Sequence, residues 1–249
     1  MASPTHLKYT EEHEWVSIED GVATIELADG GSNLLSPSMI SSVNDALDKA
    51  EREARAVVLT GAGTVFSAGF DLKVIKAGPV PAFKMLLGGF AAVARLVKLP
   101  LPLVVASNGH TVAAGVFLLL AGDYRYGTDG DFKIVLNEVE IGMTMPHTAL
   151  AIAKYRLTTS AFEQVINQSV VYSPADAKDA GFLDDVVIAG SLINDAQLRA
   201  KKLAELNAKA FRQTKLRARK TLIRSIRWAV VKDVVDLVKQ GIGQSVRKK

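Results

Sequence analysis

Apolar and polar residues alternate over residues 22–27, the period of a half-buried strand. Ser36-Pro37 then supplies an N-cap followed by a first-turn proline, which predicts a helix running to about Ala54. A second strand is expected at residues 56–60, broken by Gly61-Ala62-Gly63. A short buried strand follows at residues 103–107, set off by Pro100 and Pro102 before it and Asn108-Gly109 after it. Residues 112–121 are apolar on every side, as in a buried helix. Strand signals return near residues 124–127 and 132–135, and helical patterns cover 147–156 and 161–168. The elements repeat as strand, strand, helix.

Ser173-Pro174 caps a short helix that Gly181 ends, residues 182–187 read as a strand, and everything after about Asn194 looks helical. No low-complexity linker divides the chain. One α/β domain is expected, with a core over residues 1–190 and a helical C-terminal extension over 191–249.

Composition narrows the function classes. The 249 residues are 49% hydrophobic and 22% charged, ordinary for a globular protein with a substantial core. The longest uncharged apolar run, residues 112–122, stops at Asp123, short of the roughly 18 residues a membrane helix needs, so no membrane span is expected. The first residues, with Glu11, Glu12 and Glu14, carry no secretory or organelle signal pattern, and a cytoplasmic location is expected. With no cysteine, disulfides, thiolate metal sites and a cysteine nucleophile are excluded. His6, His13, His110 and His147 show no HxxxH or HExxH spacing, so no metal is expected, and no separate cofactor is expected either.

Charge is unevenly spread. Between Lys201 and Arg227 stand ten Lys/Arg and one acid, Glu205, leaving 20 basic and 25 acidic residues elsewhere. A basic helical segment on an acidic body is either a solvated face or a contact for an anion. No nucleic-acid-binding signature accompanies it, so nucleic acid is not an expected partner.

Several common motifs fail. Gly61-Ala62-Gly63-Thr64-Val65-Phe66 begins like a dinucleotide loop, but Phe66 stands where the third glycine should admit a helix. GxxxxGK[ST] and GxSxG are both absent.

Four other segments form a pattern together. Residues 56–72 read AVVLTGAGTVFSAGFDL, ending as F-x-A-G-x-D-L; residues 108–123 read NGHTVAAGVFLLLAGD; residues 132–142 read FKIVLNEVEIG; and residues 173–187 read SPADAKDAGFLDDVV. In this order they resemble the crotonase, or enoyl-CoA hydratase/isomerase, superfamily over about residues 15–230. The resemblance implies a spiral of ββα units and chemistry on a CoA thioester, whose enolate is held by two backbone N–H donors. Carried over by position, the donors are those of Phe70 and Ala114, and small residues are needed there because the thioester must approach the backbone closely. Alanine at 113 and 114 replaces glycine. The backbone around Ser67, Ala68 and Leu72 should run beside the coenzyme A, with Asp71 fixing the turn.

The acids depart from the hydratase pattern. Hydratases of this family hold one water between two glutamates, and at the first of those positions this chain has Phe117. The second matches Glu138. Leu136-Asn137-Glu138, with the preceding Gly-Asp-Tyr-Arg, resembles the mitochondrial type of Δ3,Δ2-enoyl-CoA isomerase, which needs one base only. An apolar Phe117 should exclude water and raise the Glu138 pKa. Glu140 is read as lying in an extended stretch and pointing away, while His110 and His147 could border the acyl pocket. Isomerisation by Glu138 is the leading expectation. The alternatives are a 2-enoyl-CoA hydratase in which His147 or Glu140 substitutes for the lost acid, and a non-catalytic acyl-CoA-binding protein.

The resemblance also implies homotrimers, often paired into hexamers, with C-terminal helices covering the site and a basic residue, Lys215, Arg219 or Lys220, meeting the coenzyme A phosphate. Residues 7–16, LKYTEEHEWV, resemble the opening of the glycine-cleavage H protein, but the match ends within about twenty residues and implies no lipoylation.

Overall fold

The computed structural model describes residues 16–247, with side chains to residue 236. His6, His13 and the H-protein-like stretch before Val16 lie outside the described residues. A six-stranded sheet has the order β1-β2-β3-β5-β7-β9. Its β1 (Val16–Glu19) is antiparallel to β2 (Val22–Leu27), while β3 (Ala56–Gly61), β5 (Leu103–Ser107), β7 (Tyr124–Thr128) and β9 (Asp185–Val187) continue it in parallel. A smaller parallel sheet joins β4 (Val65–Ser67), β6 (His110–Val112) and β8 (Ile134–Val135).

The two sheets are built by one repeated step. In each of the pairs β3/β4, β5/β6 and β7/β8 the first strand enters the large sheet and the second the small one. Helices follow each pair: α2 (Leu72–Lys76) and α3 (Pro79–Lys98), then α4 (Ala114–Ala121), then α5 (His147–Arg156). This is the strand, strand, helix repeat that the apolar pattern predicts.

Every residue of β3 and β5 is buried, which is why both read as unbroken apolar runs rather than alternating ones. One face of the sheet packs Ile25, Val57, Leu59 and Val105 against α1 (Pro37–Glu53), α3 and α4. The other is covered by α8 (Leu192–Ala204), whose Leu192, Ala196 and Ala200 recur every four residues as one stripe against Val22, Val58, Val104 and Tyr126.

Caps set the helix boundaries that were legible. Ser36 Oγ accepts from Met39 N–H at the start of α1, and Ser173 Oγ from Asp176 N–H at the start of α7 (Pro174–Ala180). Gly181, at φ +94°, closes α7 in the left-handed conformation.

Where pattern and structure part, length is the reason. β4 and β6 span three residues each, too few to display a period. α3 is by length and composition apolar enough to cross a bilayer, yet its Met85, Leu86, Phe90, Val93, Leu96 and Val97 are buried in the core. The stretch after β8 is a turn and not an extended segment: Ile141 N–H bonds Asn137 O, and Met143 N–H bonds Glu138 O at 2.8 Å. Residues two apart on an extended segment share a face, so it is this turn that separates exposed Glu140 from buried Glu138.

After α6 (Thr159–Gln168), α7 and β9 the chain is helical from α8 through α9 (Ala208–Ala218) to α10 (Lys220–Arg247). α10 lies along α3 and α5 and buries Leu222, Ile226, Ala229 and Asp233. Its Trp228, Val231 and Val235 remain exposed.

Candidate active site

Because β4, β6 and β8 are parallel, their carboxyl ends emerge along one edge of the small sheet, and three of the sequence-derived candidates lie just beyond them. Ser67 leads to Phe70, Val112 to Ala114, and Val135 to Glu138. Cross-links hold the edge together. A Cβ placed on Gly69 would lie 3.0 Å from Ala114 N, and Ala113 N–H donates to Val135 O at 2.9 Å.

The turn at Phe70 is braced from the loop after β2. Asp29 accepts from the N–H groups of Gly31, Asn33 and Leu34, each at 2.8 Å. Burial would raise the Asp29 carboxyl, but these N–H donors together hold it below its ordinary value. Buried Asn33, at φ +52°, donates to Ala62 O and to Val65 O, at 3.1 and 2.6 Å. Ser67 Oγ donates to Asn33 O and accepts from Gly69 N–H. The bridge from Leu35 to Phe70 runs through Leu35 N–H and Gly69 O, so it leaves the Phe70 N–H unused. The Phe70 ring lies against Gly89 of α3 and meets Phe90 edge-on at 5.7 Å.

Ala114 is the first residue of α4, so its N–H has no acceptor within the helix. The residue before it, Ala113, is held at φ +49° and ψ −123°, a conformation that glycine adopts freely and alanine does not. The replacement of glycine is therefore a strained one at 113, whereas Ala114 is an ordinary helical residue. Gly115 is required by contact, since a Cβ there would come within 2.4 Å of Ser67 O.

Glu138 is 6% exposed, and among the described residues its Oε2 has no hydrogen-bond partner. Burial pushes the carboxyl up to about 7, its own backbone N–H pulling the other way with less effect. Phe117 is sealed inside α4 at 1% exposure.

The remaining candidates sort differently. Asp71 caps α2 by accepting from Lys73 N–H at 2.8 Å, Leu72 is half exposed, and Ala68 N–H donates to Ser32 O. His110 stands at the amino end of β6, the edge opposite Ala114; its Nδ1 accepts from Lys133 N–H and its ring meets Phe132. His147 opens α5 and pairs through Nε2 with Asp236 of α10 at 3.3 Å.

Of the three basic residues considered for the coenzyme A phosphate, two are already engaged inside the protein. Lys215 and Arg219 flank Asp123 at 2.6 and 2.8 Å with side chains 4% and 6% exposed, and only Lys220 is on the surface. Burial lowers Lys215 to about 8, with Asp123 opposing. Arg219 also donates to Val97, Ala121 and Gly122 carbonyls, and Arg156 to those of Leu120 and Gly122, so cations cap the carboxyl ends of α3 and α4.

Asp29, Asn33 and Asp233 were not foreseen as parts of this site. The first two had a signal, the turn-forming run Asp-Gly-Gly-Ser-Asn. The third did as well: an acid in the apolar stripe of Leu222, Ile226 and Ala229.

Comparisons with known proteins agree on one family. The enoyl-CoA hydratase/isomerase family model matches residues 17–240. A putative enoyl-CoA hydratase of Thermus thermophilus is 31% identical over 208 residues, covering 80% of this chain and 81% of that protein. A Mycobacterium tuberculosis protein, described in one structure as an enoyl-CoA isomerase and in another as a probable enoyl-CoA hydratase, superposes in the first with a TM-score of 0.85 at 39% identity, over 88% of this chain and 96% of that one. That of human mitochondrial Δ3-Δ2-enoyl-CoA isomerase gives 0.86 at 26% identity, over 94% and 95%. With its ββα spiral, its helical C-terminal region and a family match over most of its length, the chain belongs to the enoyl-CoA hydratase/isomerase (crotonase) family and is an enzyme of that type.

Proposed function

We propose that the protein shifts the double bond of a 3-enoyl-CoA to the 2-position, with Glu138 as the only acid–base group. The observation that carries this reading is a buried carboxylate with a pKa of about 7 and an unpartnered oxygen, in a chain whose other acid position is a sealed phenylalanine. A base matched to neutral pH suits removal of a carbon-2 proton. The electron pair moves onto the thioester oxygen as a dienolate, to which the N–H groups of Phe70 and Ala114 would donate. The same carboxyl returns the proton to carbon 4, so the 3,4 double bond becomes a 2,3 double bond and nothing else is consumed.

Hydration needs a second group to hold water, and Phe117 supplies none. Glu140 is exposed on the turn, and His147 is occupied by Asp236, which weakens both as substitutes. The exposed face of Trp228, Val231 and Val235 on α10 supports burial in a homotrimer or hexamer.

The deciding assay offers trans-3-enoyl-CoA and trans-2-enoyl-CoA separately to the wild type and to Glu138→Gln. Migration without hydration, lost in the variant, is the expected result. Glu138-dependent hydration would instead make the enzyme a hydratase. Tight binding with no proton exchange at carbon 2 in deuterated buffer would leave an acyl-CoA-binding protein.

A further inference from the structure

We propose that Asp233 is a positioning residue for Glu138: from α10 it fixes the amino end of α5 and, through Met143 to Pro146, the turn that carries the base. The inference rests on the reading of Glu138 as the base.

The amino end of α5 lacks a cap of its own. Pro146 stands at the N-cap with no side-chain hydrogen bond, so the first N–H groups need an acceptor from elsewhere. Asp233 supplies it from 86 residues away. Its Oδ1 accepts from His147 N–H at 2.6 Å, and its Oδ2 accepts from Thr148 N–H at 3.0 Å and from Thr148 Oγ1 at 2.7 Å. The carboxylate is 6% exposed, on the stripe that also buries Leu222, Ile226 and Ala229. A charge so enclosed is strongly unfavourable without its donors, so the three bonds fix the register of α10 against α5. The negative charge also complements the positive end of the helix dipole. The contact of His147 Nε2 with Asp236 lies beside it, but with side chains 40% and 50% exposed it adds little.

The Glu138 turn is thereby tied at both ends. Upstream, Val135 O accepts from Ala113 N–H; downstream, Met143 N–H returns to Glu138 O, buried Met145 anchors the link, and α5 begins under Asp233. Among the described residues no charged side chain perturbs Glu138, and burial is the chief influence on it. Loosening the start of α5 would admit water to the carboxyl and spoil its aim together.

The test is the pH profile of kcat/KM for 3-enoyl-CoA with full-length wild type, Asp233→Asn, Thr148→Val and Glu138→Gln. In Asp233→Asn, kcat is expected to fall roughly 10- to 100-fold, as for a base misplaced by about 1 Å, with KM within about threefold of wild type. The acid limb should move from about 7 toward 4.5, a readout that loss of folded protein alone would not shift. Thr148→Val keeps Asp233 and removes one bond, and should shift the limb the same way by less. A folded Asp233→Asn with the wild-type limb and kcat overturns the proposal. Should Asp233→Asn not fold, an unchanged limb in Thr148→Val overturns it equally. Full activity in Glu138→Gln would instead remove the underlying reading, and the proposal with it.

Discussion

Gly69 and Ala114 meet so closely that a methyl group on the glycine would stand 3.0 Å from the amide nitrogen of the alanine and 2.9 Å from the Cβ of Ala113. The close approach brings the Phe70 turn against the start of α4, and Gly69 also sits at φ +86°. Gly69→Ala is therefore expected to part the two amides, lowering kcat/KM by about 100-fold or more, the scale of losing one oxyanion donor. Steady-state assay of the folded variant beside its thermal melt checks this.

Ala113 invites the opposite substitution. Its positive φ carries strain on the order of 1–3 kcal/mol, of which Ala113→Gly gives back about 0.5–1 kcal/mol in backbone entropy. The variant should be more stable by about 1 kcal/mol, or about 2–4 °C in Tm, with activity kept. Calorimetry and the isomerase assay test both halves.

Glu138 makes stability depend on pH with a defined sign. Its folded pKa, about 7, lies above the ordinary 4.5, so between those values the folded state binds more protons than the unfolded one. Stability contributed by the protonated form is therefore complete below 4.5 and lost as pH rises toward 7, while kcat/KM rises through the same window as the base ionises. At pH 8, Glu138→Gln should be the more stable protein by up to about 3 kcal/mol, and that gap should close at pH 4.5. Denaturant melts of both proteins at the two pH values give the comparison.

Removing Arg219 strands several acceptors at once. Arg219→Met leaves Asp123 with Lys215 and the Leu103 N–H and removes a cap from carbonyls at the ends of α3 and α4, for an expected loss of about 3–5 kcal/mol. Asp123→Asn combined with it should cost less than the sum of the two singles, because they share one network. A double-mutant cycle in denaturant measures the difference.

Much of this arrangement could be read before any coordinates. β2, β5 and α1 fall where the pattern puts them, because a half-buried strand alternates, a buried parallel strand is a continuous apolar run, and a capped helix announces its first turn. Glu138 could be found because its segment is a motif. β4 and β6 could not, since three residues carry no period and their partners lie tens of residues away. Nor does Ala113 betray its conformation, which is imposed by β8 on one side and Ser67–Gly69 on the other. Asp233 is marked in the sequence only as an acid in an apolar stripe; that His147 and Thr148 are its partners is set by the fold.

The cations that cap α3 and α4 come from residues 156 and 219, and the carboxylate that caps α5 comes from residue 233. During synthesis the segments of Phe70, Ala114 and Glu138 leave the ribosome long before Arg219 and Asp233 do. The nascent chain thus carries these segments on helices whose ends are only partly capped, and completes them when residues 219–233 emerge. A product truncated before Lys215 would keep the family's motifs and lack both Arg219 and Asp233, which leaves premature termination visible to proteolysis as an unfinished fold.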